Sequence, residues 1–245
     1  MAMECDQSGE GIVLRGAGLR LRGKDVLSDV TLSLSERRIG LIGRNGSGKT
    51  TLLRLMAGLV APSSGTVRVD GLDPAQARKA MLGRLGILFQ SPDHQILFPT
   101  VLEELSFGLR QMGRADAEGI ARAALMREGR SDWADLPVAT LSQGQKQWLC
   151  LTAILLMGPA TILLDEPFAA LDLPMAARLA RRLEGLAQRL VVISHAPASL
   201  AGCDRVIWLE GGRVRANGPP AQVLPAYEGE MARLGADDAD VDLSL

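Results

Sequence analysis

Gly43-Arg44-Asn45-Gly46-Ser47-Gly48-Lys49-Thr50 matches the pattern GxxxxGK[ST]. Glycines let the backbone curl until successive N–H groups point at phosphate oxygens, and a helix that opens there adds its N-terminal dipole. In such a loop Lys49 reaches the β- and γ-phosphates of a nucleotide, and the Thr50 hydroxyl is placed to ligate Mg²⁺. A second reactive element lies far along the chain, in Thr161-Ile162-Leu163-Leu164-Asp165-Glu166-Pro167. Asp165, ending an apolar run, can hold Mg²⁺ directly or through water. Glu166 points elsewhere and could polarise an attacking water as general base. An Asp-Glu pair alone is a common surface feature; together with a phosphate loop it specifies phosphoryl chemistry.

These residues need a scaffold, and the apolar runs supply one. Ile39–Ile42 precedes the phosphate loop, and Thr51–Leu59 follows it as an apolar helix. Leu85–Phe89 precedes Gln90, Thr161–Leu164 precedes the two acids, Leu190–Ser194 precedes His195, and Val206–Leu209 precedes Glu-Gly-Gly. Short runs without polar alternation read as strands buried on both faces, the mark of a parallel α/β sheet. Ligands bind such sheets at the C-terminal ends of the strands, where the reactive residues fall. Residues 12–38 read instead as short antiparallel strands, Ile12–Leu14, Leu19–Arg22 and Val30–Leu34, and residues 65–70 add an alternating strand. Thr100–Ala139 is helical in pattern.

The 245 residues carry 27 Lys plus Arg against 28 Asp plus Glu, a formal net charge of −1. That balance argues against a nucleic-acid partner held by bulk electrostatics. Arg178, Arg181 and Arg182 read as an exposed helix face. Cys5, Cys150 and Cys203 are widely spaced, with no CxxC pair, which fits neither a disulfide scaffold nor a cysteine zinc site. No secretory leader and no apolar stretch of membrane-spanning length is expected. Aromatic residues make up only 3% of the chain, and none precedes Phe89.

Four more segments carry a resemblance. Leu141-Ser142-Gln143-Gly144-Gln145 is similar to the LSGGQ signature of ATP-binding-cassette (ABC) proteins. Gln90 resembles their Q-loop, Ala170-Leu171-Asp172 their D-loop, and His195 their switch histidine. All six elements stand in family order. The longer stretch from Gln90 through Asp93, Phe98 and Thr100 to Gly108 resembles ATPase components of energy-coupling-factor importers of vitamins and transition-metal ions, including the cobalt, nickel and biotin systems. Other ABC importers, exporters, and soluble ABC proteins of translation or repair are the rival readings.

The resemblance implies a P-loop NTPase of ABC type: a parallel-sheet core, an N-terminal antiparallel β sub-domain and an inserted α-helical sub-domain. One domain would span residues 12–224, its helical sub-domain about 91–148, with 225–245 a solvated, partly disordered tail. ATP and Mg²⁺ would be the ligands. Gly43 to Thr51 would bind ATP, and Thr50, Gln90 and Asp165 the metal. Glu166, Gln90 and His195 would act in catalysis. Two cassettes would pair head to tail, as homodimer or heterodimer, so that Ser142, Gly144 and Gln145 face the partner's γ-phosphate and Asp172 links the two sites. The remaining partners would be an integral membrane scaffold and a substrate-binding membrane subunit, with the pair on the cytoplasmic face of the membrane. Gln143 replaces a usual glycine, and the usual adenine-stacking aromatic is missing, leaving Arg22 or Leu21 to meet the base.

Overall fold

The computed structural model describes residues 11–169 and 171–236. The chain opens with a long hairpin, β1 (Ile12–Leu21) and β2 (Lys24–Leu34). The sequence suggested three short pieces here. Instead β1 runs on through Gly16, at φ 56°, because register shifts between Leu14 and Leu19 absorb the irregularity as bulges. After β3 (Arg38–Ile42) and helix α1 (Lys49–Met56), β4 (Ser64–Val69) pairs with the free edge of β1. The result is an antiparallel sheet of order β2-β1-β4.

β3 belongs to a second sheet, with β5 (Leu85–Leu88), β6 (Thr161–Asp165), β7 (Arg189–Ile193), β8 (Arg205–Glu210) and β9 (Arg213–Gly218). Its order is β5-β6-β7-β3-β8-β9, parallel throughout except for the β8–β9 hairpin. All five apolar runs of the sequence become its parallel strands. β9 is an addition that its Gly- and Arg-rich sequence did not announce.

Side chains alternate across these strands, so each strand feeds two cores. Leu163 and Val191 face α1 and the antiparallel sheet. Ile162, Leu164 and Val192 face the other side, against α5 (Gln143–Leu156), α6 (Leu173–Glu184) and α7 (Pro220–Ala236). A third core joins α3 (Val101–Gln111) and α4 (Ala117–Arg127) to α5 through Leu105, Ala121, Leu125 and Leu149. One short helix, α2 (Arg78–Met81), precedes β5.

The expected boundary at residue 224 is wrong. α7 runs straight through it to Ala236, and Val223, Leu224 and Tyr227 bury one stripe of the helix. Tyr227 packs edge-on against Trp208 of β8, with ring centroids 5.4 Å apart. The segment 225–236 is therefore part of the domain. Of the expected disordered tail, residues 237–245 lie outside the described residues, as does Ala170. No helix among the described residues is long and apolar enough to cross a membrane.

Candidate active site

The phosphate loop hangs between the end of β3 and the start of α1. A Cβ on Gly43 would lie 2.2 Å from the Leu209 carbonyl oxygen, so only glycine lets the loop sit this close to β8. Gly46 and Gly48 hold φ of 79° and 101°, turning the chain into the helix. Gly48 is the N-cap of α1 and contributes no side-chain cap, which leaves the first-turn N–H groups for a ligand. The Ser47 hydroxyl is buried without a hydrogen-bond partner among the described residues. An orphaned donor beside open amides is what a phosphate oxygen would satisfy.

Lys49 is only 8% exposed. Its Nζ donates to the carbonyl oxygens of Gly43 at 2.7 Å and Arg44 at 3.0 Å, which fixes it across the loop. Burial pushes the pKa of its amine down, while Glu166, Asp165 and Glu210 pull it back up. Asp165, 5% exposed at the end of β6, accepts a hydrogen bond from Thr50 Oγ1 at 3.2 Å. Burial pushes its carboxyl up, opposed by that hydrogen bond and reinforced by Glu166. Thr50 and Asp165 offer hard oxygen donors side by side, and the Gln90 amide opens on the same cavity. That donor set suits Mg²⁺, which prefers one or two protein oxygens alongside substrate phosphates and water.

Glu166 takes φ 49°, a left-handed conformation costing roughly 1–3 kcal/mol in a non-glycine residue. Its amide donates to Ile193 O at 3.1 Å, anchoring the turn to β7. The carboxylate lies 2.9 Å from His195 Nδ1. The strained turn thus aims Glu166 away from Asp165 and toward the histidine that follows β7. His195 itself is largely exposed, with its side chain at the mouth of the site.

These groups enclose one cavity of about 800 Å³, lined by the loop, Thr51, Gln90, Asp165, Glu166 and His195. Val26, Ile193 and Tyr227 also line it, and the sequence did not suggest them. Tyr227 was hidden because its segment read as tail; the i, i+4 spacing of Val223 and Tyr227 was the available signal. Arg22 is not brought in. It sits on the exposed β1–β2 turn at φ 48°, outside the cavity lining, as does half-exposed Leu21; Val26 of β2 takes the wall instead.

Ser142, Gly144, Gln145 and Asp172 also stand clear of this cavity. Ser142 and Gln145 form a capping box that opens α5: Gln145 N donates to Ser142 Oγ and Ser142 N to Gln145 Oε1. Asp172 caps α6, accepting from Met175 N at 2.8 Å. Gln143 acquires a definite contact, donating to Asp93 at 2.8 Å beside Lys146, which donates at 2.7 Å. Those two bonds hold the Asp93 carboxyl below the usual range. Glu103 caps α3 with Thr100, and Glu104 accepts from the amides of Leu97 and Phe98, so both are internal props.

A family model described as "ABC transporter" matches residues 27–169. The chain is 55% identical over 219 residues to the biotin transport ATP-binding protein BioM of Rhodobacter capsulatus, covering 87% of this chain and 94% of that one. It is 38% identical to BioM of Rhizobium etli, over 88% and 97% of the two chains. Among solved structures it resembles cbiO1 of Clostridium perfringens, part of the ABC transporter complex cbiONQ. The TM-score is 0.75 at 26% identity, over 90% and 93% of the chains.

Proposed function

The chain belongs to the ABC transporter family, as an ATP-hydrolysing subunit, and from that premise we propose that it energises an energy-coupling-factor importer whose cargo is biotin. The observation that carries the assignment is the likeness to BioM of Rhodobacter capsulatus, which covers 87% of this chain and 94% of that one. The site geometry supports the chemistry. The loop amides, the orphaned Ser47 hydroxyl and Lys49 form a cradle for triphosphate. Thr50, Asp165 and Gln90 would hold Mg²⁺, which when bound neutralises charge on the phosphate oxygens.

Glu166 is the proposed general base. The His195 imidazole beside it keeps the carboxylate oriented and reaches the mouth of the cavity, where a γ-phosphate would lie. The signature residues Ser142, Gly144 and Gln145 cannot serve the nucleotide of their own chain from where they stand. A second ATPase subunit, packed head to tail, would bring them and the N-terminal dipole of α5 onto the γ-phosphate. ATP then bridges the closed pair, and hydrolysis removes the bridge.

The membrane-facing surface we assign to the Q-loop segment. Leu97 is 68% exposed, and the next residue, Phe98, meets Phe107 with tilted rings whose centroids are 4.9 Å apart. Large apolar side chains of this kind anchor interfaces. The membrane scaffold would dock there, placing the subunit peripherally on the cytoplasmic face. The test is recovery of the tagged chain from membranes, with labelled biotin uptake measured alongside. Two integral membrane proteins should copurify, and Glu166→Gln should abolish uptake. Copurification with a periplasmic binding protein, or uptake unchanged by the substitution, would overturn the reading.

A further inference from the structure

Behind the signature motif, away from the nucleotide cavity, lies a second cavity of about 330 Å³. It sits at the joint between the helical layer and the core. Arg130 and Trp148 form one wall; Leu171, Met175, Arg178 and Arg182, from the D-loop and α6, form the other. The volume falls within the roughly 300–1,000 Å³ of small-molecule sites.

The charges in this cavity do not balance. Arg130, Arg178 and Arg182 face a single carboxylate, Glu128. Both oxygens of Glu128 are already engaged: Arg182 Nη2 donates to one at 3.0 Å and Trp148 Nε1 to the other at 3.3 Å. The Nη1 groups of Arg130 and Arg182 are buried with no hydrogen-bond partner among the described residues. Arg130 lies flat against two rings, its guanidinium carbon 4.2 Å from the centroid of Trp133 and 4.1 Å from that of Trp148. Stacking holds the guanidinium in place but satisfies none of its edge N–H groups. Burial pushes the pKa values of Arg130 and Arg182 down, the direction an anion would reverse.

Unpaired buried guanidinium edges are costly, and native structures pair them. Their fork geometry matches a carboxylate. Apart from Gln147, whose amide donates to Pro167 O, the rest of the lining, with Trp148, Leu171, Met175 and Leu179, is apolar. We propose that this cavity binds a small carboxylate with an apolar body, its head on Arg130 and Arg182 and its body against α6. Such a ligand would bridge the helical layer to the core directly beneath Gly144, whose position is in contact with Met175. This assignment stands on the cavity alone and does not depend on the cargo proposed above.

Octanoate is the probe, because it has a carboxylate, an apolar body and a size that fits. Trp133 and Trp148 are two of the three tryptophans in the chain, so intrinsic fluorescence reports on the site. The full chain is titrated with saturating ATP and Mg²⁺ present to block the nucleotide cavity. Octanoate should give a saturable change; octanamide and inorganic phosphate should bind at least tenfold more weakly. Arg130→Met should weaken octanoate at least tenfold, the scale of a charge-assisted hydrogen bond. Arg178→Glu, at an exposed position, provides a second variant that spares the core and should weaken it as well. The proposal is overturned by the absence of saturation up to about 10 mM. It is equally overturned by equal binding of phosphate or the amide, or by unchanged affinity in the folded variants.

Discussion

Asp165→Asn should make the nucleotide-free protein more stable while destroying its response to Mg²⁺. Asp165 is 5% exposed and accepts one hydrogen bond, from Thr50 Oγ1 at 3.2 Å. Burial raises its pKa, against the pull of Thr50, Arg54 and Lys49. A carboxyl whose value is raised on folding contributes stability that is fully present below the unfolded aspartate value. That contribution is lost as pH climbs through the folded value. At neutral pH the ionised group is therefore a net cost to the fold. Burying an ion costs several kcal/mol before neighbours repay part of it. The hydrogen bond and Lys49 leave a residue on the order of 1–2 kcal/mol. Asparagine keeps the shape and an acceptor for Thr50 without the charge. For a chain of this size each kcal/mol moves Tm by roughly 2–4 °C. The variant should thus melt a few degrees higher at pH 7, and its advantage should shrink as pH falls through the acid range. A ligand at about a hundredfold its Kd adds about 2.7 kcal/mol. Wild type should show that increment with ATP and a further one when Mg²⁺ is added; the variant should lose the second. Thermal melts across pH, with and without each ligand, decide the matter. A variant that melts lower, an advantage that grows on acidification, or an intact Mg²⁺ increment would each refute the reasoning.

Glu166→Gln should still bind ATP and pair, yet lose hydrolysis by about 10²–10⁴-fold, the range of a general base; steady-state turnover near normal would remove Glu166 from that role. Tyr227→Ala should lower stability by roughly 3–5 kcal/mol, since it empties a buried aromatic site. Tyr227→Phe keeps the ring on Trp208 and should melt close to wild type, as denaturant titration would show. Asp93→Ala frees Gln143 and Lys146 together. Hydrolysis by the isolated chain should hold, while stimulation by the membrane partner falls in a reconstituted complex.

How far the sequence could be read follows from the range of each interaction. The phosphate loop is local: eight residues between a strand and a helix specify it, and Gly43 and Lys49 sit as that spacing requires. Parallel strands buried on both faces show as unbroken apolar runs, so β3, β5, β6, β7 and β8 were legible. Half-exposed strands were not; β9 alternates Val214 and Ala216 among glycine and arginine. Tyr227 enters the nucleotide cavity only because the β8–β9 hairpin turns the chain back and α7 then packs on Trp208. No local pattern states that route. Arg22 lies outside the cavity lining for a related reason: its place on a tight turn, at φ 48°, carries it off the wall that Val26 forms.

The departure at Gln143 illustrates how a local anomaly can have a distant cause. Judged against the signature alone it is a lost glycine. In the fold it is a donor to Asp93, 50 residues earlier in the chain. Asp93 lies three residues past Gln90, and three residues span at most about 10 Å. The N-terminus of α5 is thereby tied to the segment that opens on the Mg²⁺ site proposed here. Lys146 doubles the tie from the next turn of the same helix. On the function proposed above, a shift of Gln90 when ATP arrives or leaves would be passed along this tie toward Ser142, Gly144 and Gln145. The same segment carries Leu97, Phe98 and Phe107, the surface assigned to the membrane partner. On that reading, occupancy of the nucleotide site, presentation of the signature and posture of the proposed docking surface would be coupled through Asp93.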